Sequence, residues 1–148
     1  MAYKYPYDEE EKKYTPPKLK TNRSMWKLAL LSLCTLGIYE IIFFIPLSFD
    51  LDLVAPKHDH SKTFNFLWAY ILSMFTFSIV LVIWLYNITA RIEEALERYD
   101  IPYDFSTSDF WKFYVLGQFI LVGPFIYLHK LCKAMNLLCE YYNRENNL

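Results

Sequence analysis

The chain has 148 residues, of which 55% are apolar and 20% aromatic, with three glycines and a net charge of -1. That balance argues against a nucleic-acid binder built on a basic face, and three cysteines without C-x-x-C spacing (Cys34, Cys132 and Cys139) argue against a disulfide framework or a zinc site. The size leaves room for one helical membrane domain and no separate soluble one.

Residues 1–23 mix Asp8, Glu9, Glu10 and Glu11 with Lys12, Lys13, Lys18 and Lys20, and carry Pro6, Pro16 and Pro17 without apolar periodicity. Such a stretch cannot bury enough surface to offset its chain entropy, so it reads as a flexible cytoplasmic tail ahead of a membrane domain over residues 24–148. Its tyrosines, Tyr3, Tyr5, Tyr7 and Tyr14, offer a peptide ligand only as a second reading. No cleavable signal pattern precedes the first apolar run, which reads as its own insertion signal.

Three apolar segments then predict three transmembrane helices. Phe64 to Ala90 contains no Asp, Glu, Lys or Arg; a helix needs about 20 apolar residues to cross a hydrocarbon core roughly 30 Å thick. Leu28 to Phe49 is interrupted only by Glu40, and Phe113 to Leu128 is shorter, extended by Trp111, Lys112 and His129 reaching for the interfaces. The predicted spans are about 27–49, 65–88 and 110–129. Asn22 or Ser24 can cap the first, and Pro46 should bend its end. A rival topology folds one span at Thr35-Leu36-Gly37 into a re-entrant hairpin.

Between the first two spans, His58-Asp59-His60 lacks the further ligands that a metal site needs. Beyond the second span, Ile88, Ile92, Ala95, Leu96 and Tyr99 fall at helical spacing opposite Arg91, Glu93, Glu94, Glu97 and Arg98, predicting an amphipathic extension over about 88–100, ended by Pro102. Ser106-Thr107-Ser108-Asp109 supplies a helix start signal. Leu131, Ala134, Met135, Leu138 and Tyr142 form a second stripe, opposite Lys133, Asn136, Glu140 and Asn143, predicting an extension over about 130–143. Both stripes are expected to pack on the protein's own helices.

A weak internal repeat of about 40 residues runs through the chain. Trp26-Lys27 recurs as Trp111-Lys112, Leu31-Ser32 followed by Thr35 recurs as Leu72-Ser73 followed by Thr76, and Gly37 falls near Ser78 and Gly123. The first unit, with Trp26, Lys27, Ser32, Thr35, Gly37 and Tyr39, resembles the signature of a bacterial membrane family catalogued as a domain of unknown function, number four-two-three-four. That family usually reads Gly-Ile-Tyr-Gly-Ile-Tyr-Trp where this chain has Glu40 at the second glycine and Ile42-Phe43 in place of the last aromatic pair. The resemblance implies a bacterial membrane setting and no chemistry.

Lys plus Arg number 7 through Lys27, 2 in the first loop, 3 in the second and 3 after the last span. With three spans, the positive-inside bias places the N-terminus in the cytoplasm and the C-terminus outside. Glu40, an acid deep in a predicted span, is the first candidate residue, with Gln118 and Thr76 as candidate intramembrane hydrogen-bond partners. No nucleophile-base pair, phosphate loop or metal constellation is present, so neither enzyme activity nor a cofactor is expected. The sequence reads as an all-α, multi-pass protein of the bacterial inner membrane with a structural or interaction role, in contact with the lipid bilayer and with a copy of itself or another membrane protein as possible partner. The alternative is an oligomeric channel or transporter subunit using Glu40.

Overall fold

The computed structural model describes residues 16–55, 64–76 and 78–148, and these are all helical or irregular. Each apolar segment is two helical arms joined by a tight turn. The first comprises α1 (Met25–Cys34) and α2 (Ile38–Val54), and the second α3 (Phe66–Phe75) and α4 (Ile79–Arg98). In the third, a single turn α5 (Thr107–Asp109), a π-helix Phe110–Val115 and a 3-10 segment Leu116–Ile120 form the outgoing arm, and α6 (Gly123–Glu145) the return.

Contacts across each turn show that the arms double back. Arg23 pairs with Asp50 at the foot of the first hairpin. Trp84 Nε1 donates to the Phe64 carbonyl at 2.5 Å in the second, and Lys130 reaches Asp109 at 2.9 Å in the third. A straight helix rising 1.5 Å per residue would hold each of these pairs roughly 30 Å or more apart. No helix among the described residues is long and apolar enough to cross a membrane. This corrects the expectation of three transmembrane helices, and the chain reversal entertained at Thr35-Leu36-Gly37 has a counterpart in each of the three units.

The turn motif explains the break. Thr35 donates its hydroxyl to the Leu31 carbonyl at 2.7 Å and accepts from Tyr39 N at 2.9 Å, so one side chain closes the end of α1 and the start of α2. Leu36 and Gly37 follow at φ 52° and 89°, and Gly37 N bonds back to Ser32 O at 2.8 Å. In the second hairpin Thr76 bonds Leu72 O at 3.0 Å, Ser78 stands at φ 67° and Ser78 N reaches Ser73 O at 2.9 Å. Leu-Ser-x-x-Thr is therefore a turn signal: the threonine satisfies a terminal carbonyl, and the left-handed residue two positions later reverses the chain. The third hairpin departs from the repeat. Its left-handed residue is Leu121, and Gly123, aligned with Gly37 by sequence, instead packs so closely on Gly117 that a Cβ at Gly117 would lie 2.6 Å from Gly123 Cα.

Serine tolerates the left-handed region poorly, at a cost of about 1–2 kcal/mol. Ser78→Gly removes that strain while adding unfolded-state freedom, so thermal unfolding in detergent should show a gain of up to about 1 kcal/mol; a loss would mean that the Ser78 side chain holds the turn.

The three return arms lie side by side in the same direction. Phe44 stacks on Phe66 and meets Trp84 edge-on, Arg91 pairs with Asp52 at 2.6 Å, and Tyr99 donates to Val54 O. Thr89 contacts Tyr127 at 2.6 Å and Tyr99 stacks on Tyr141. These pairings run in parallel register, so all three turns lie at one end. The core occupies the other: Leu47, Leu51, Ile88, Ile92, Leu131, Met135 and Leu138 are fully buried. Both amphipathic stripes thus pack on the protein's own helices. α2 continues through Pro46 to Val54, and Ser106 and Asp109 form the capping box that starts α5. Ser24 occupies the cap position of α1 without a side-chain bond.

Residues 16–23, expected as part of a flexible tail, are seated on α6. Asn143 accepts from Leu19 N and donates to Leu19 O, at 2.8 and 2.9 Å, and Asn136 does the same with Arg23, both at 2.9 Å. Each amide completes one residue's backbone pair, and Leu19 is buried. Residues 1–15 and His58-Asp59-His60 lie outside the described residues.

Candidate functional site

The end of the molecule that carries the turns is apolar on its surface. Leu36, Phe75 and Phe119, one at each tip, are 92%, 81% and 90% exposed. Around them Leu33, Ile38, Met74, Ile79, Ile120 and Leu121 are also exposed. A contiguous apolar surface of this kind marks an interaction or membrane site. The ion pairs Arg23–Asp50, Arg91–Asp52, Arg98–Glu94 and Lys130–Asp109 all lie at the opposite, foot end.

Each outgoing arm begins with an exposed tryptophan. Trp26 is the second residue of α1, Trp68 the third of α3 and Trp111 the second of the π-helix, at 67%, 59% and 53% exposure, whereas Trp84 on a return arm is buried. Lys27 and Lys112 follow two of them and are exposed. Trp68 completes a set of which the sequence repeat contained only Trp26 and Trp111.

Between the first hairpin and the other two lies a cavity of about 840 Å³. Glu40 stands on its wall with Ser32, Tyr70 and Tyr114, and the remaining lining is apolar. Burial raises the Glu40 carboxyl above its ordinary range, and burial together with the neighbouring Glu40 charge raises the Tyr114 phenol. The structure does not join Glu40 to its expected partners. Thr76 uses its hydroxyl on the Leu72 carbonyl, and Gln118 is exposed on the third tip. Tyr39 contributes its backbone N–H to the Thr35 cap. Ser32 Oγ is buried without a hydrogen-bond partner.

Among the described residues no group of three or more His, Cys, Asp or Glu could hold a metal ion. The interior between α4 and α6 instead holds a buried polar pair. Thr89 gives its single proton to Leu85 O, so Tyr127 donates to Thr89, and burial pushes the Tyr127 phenol up. Cys132 and Cys139 flank Arg23; burial outweighs the opposing pull of that guanidinium and pushes their thiols up to about 12 and about 11. Cys34 is exposed on α1. An excess of an uncharged maleimide in detergent should therefore label Cys34 within minutes and leave the other two unmodified until the protein unfolds. Labelling of Cys139 at a similar rate would show that α6 opens at its foot.

Fold and surface together define an all-α protein of three helical hairpins with a charge-poor, apolar end. Residues 23–94, the first hairpin and most of the second, match the model of a family described as a domain of unknown function (DUF4234). No curated protein and no solved structure gives a significant match.

Proposed function

We propose that the protein is a membrane-embedded structural or interaction component of the bacterial cytoplasmic membrane, seated in one leaflet by three hairpins rather than crossing the bilayer. The observation that carries this reading is the pairing of three exposed apolar tips with three exposed tryptophans at the start of the outgoing arms. Tryptophan favours the headgroup level, and a ten-residue arm rises about 15 Å, half of a hydrocarbon core roughly 30 Å thick. Turns at that depth need their backbone groups satisfied internally, which the Thr35 cap and the Gly37-to-Ser32 bond help to supply. In this arrangement the lysines and arginines of the foot all face one compartment, and the positive-inside bias makes it the cytoplasm. The test is flotation of the purified full chain with phospholipid vesicles after detergent removal. Co-flotation that resists alkaline carbonate supports insertion, and protein left at the bottom of the gradient refutes it.

A further inference from the structure

The cavity beside Glu40 has a composition that selects for charge. Among the described residues the Glu40 carboxylate has no hydrogen-bond or ion-pair partner, and no lysine, arginine or histidine lines the cavity. Six aromatic rings do: Trp26, Phe44, Phe66, Tyr70, Tyr114 and Phe125. The Ser32 hydroxyl on the same wall is a second polar group left without a partner. The Glu40 side chain is half-buried, and a cation brought beside a partly desolvated carboxylate that has no counter-ion gains more from the pairing than it would in bulk water. Aromatic faces attract cations through the ring quadrupole, most strongly where water is excluded. The volume, about 840 Å³, falls in the range of sites for compact organic ligands.

The geometry points to a binding site for a hydrophobic monovalent organic cation, held by Glu40 as counter-ion and by the surrounding aromatic rings, with Ser32 available to any hydroxyl or carbonyl it carries. This goes beyond the membrane reading and does not depend on it, because binding can be measured in detergent. Aromatic lining alone would accept an uncharged or anionic ligand of the same shape; the unpaired carboxylate adds the preference for positive charge.

Tetraphenylphosphonium and tetraphenylborate have nearly the same size and shape and opposite charge, so they separate charge selection from apolar partition. Titration calorimetry of the full chain in maltoside micelles should show saturable one-to-one binding of the phosphonium and none of the borate. Glu40→Gln keeps the side-chain shape and should weaken phosphonium binding at least tenfold. Leu81→Trp narrows the cavity with Glu40 intact and should weaken it as well. Far-ultraviolet circular dichroism checks that both variants remain helical, and Leu81→Trp carries the test should Glu40→Gln unfold. Equal binding of both ions, no saturable phosphonium binding, or an undiminished affinity in a folded Glu40→Gln variant would overturn the proposal.

Discussion

Replacing the three tip residues together, Leu36→Asp, Phe75→Asp and Phe119→Asp, should abolish flotation with vesicles while leaving the folded chain intact in detergent. Each residue is almost fully exposed, so none contributes much to internal packing. In lipid each gives up the burial of a large apolar side chain, about 1.5–3 kcal/mol, and gains an acid whose insertion costs roughly 2.5–3.5 kcal/mol at mid-bilayer. At about 1.4 kcal/mol per factor of ten, even half of that sum over the three residues lowers partition by roughly 10,000-fold or more. Helicity and melting in detergent should move little. Flotation equal to the parent would mean that the apolar end contacts something other than lipid.

Arg23→Ala should cause the largest loss of folding stability of any single foot substitution. Arg23 joins three elements: its backbone pairs with Asn136 on α6, its guanidinium with Asp50 on α2, and it donates to the Lys20 carbonyl at 2.6 Å. Its side chain is buried and that of Asp50 nearly so. Removing one partner of such a pair leaves a poorly solvated charge, at a cost of roughly 3 kcal/mol or more. Arg98→Ala, which opens an exposed i,i+4 pair with Glu94, should cost about 0.3–0.5 kcal/mol. Thermal unfolding of the two variants side by side in one detergent makes the comparison. Adding Asp50→Asn to Arg23→Ala should recover part of the loss, because it removes the stranded charge. Equal effects of Arg23→Ala and Arg98→Ala would show that residues 16–24 are not held at the foot.

The helical class and both packed stripes of α4 and α6 were legible because their apolar residues recur at helical spacing and their charges fall opposite. The repeat was legible too, but its meaning was not. Charge-free length implies distance across a bilayer, although 27 such residues serve equally well for two arms that double back on each other. What separates the two outcomes is local: a threonine whose hydroxyl bonds a carbonyl at the end of the outgoing arm, followed two residues later by glycine or by serine in the left-handed region. In the third unit the signal is missing because Gly117 and Gly123 make room for close backbone approach there, and Leu121 turns the chain. Asn136 and Asn143 were placed on a solvent face, yet seven residues apart they stand on one side of α6 and complete backbone pairs of the N-terminal segment. Polar residues at that spacing beside an extended, proline-containing segment were the available cue. Glu40 stood out as an acid in an apolar run, but its surroundings come from three hairpins distant in sequence.

Accessibility of single cysteines tests most directly whether the chain enters the membrane and returns. With Cys34, Cys132 and Cys139 replaced by serine, one cysteine is placed in turn at Lys20, Asp104, Asn146 and Leu36, and sealed inside-out and right-side-out vesicles are treated with an impermeant maleimide. Lys20, Asp104 and Asn146 should all react in inside-out vesicles and none in right-side-out ones, with Leu36 silent in both. Reaction of Asn146 from the face opposite Lys20 would restore an odd number of crossings and contradict the three-hairpin arrangement.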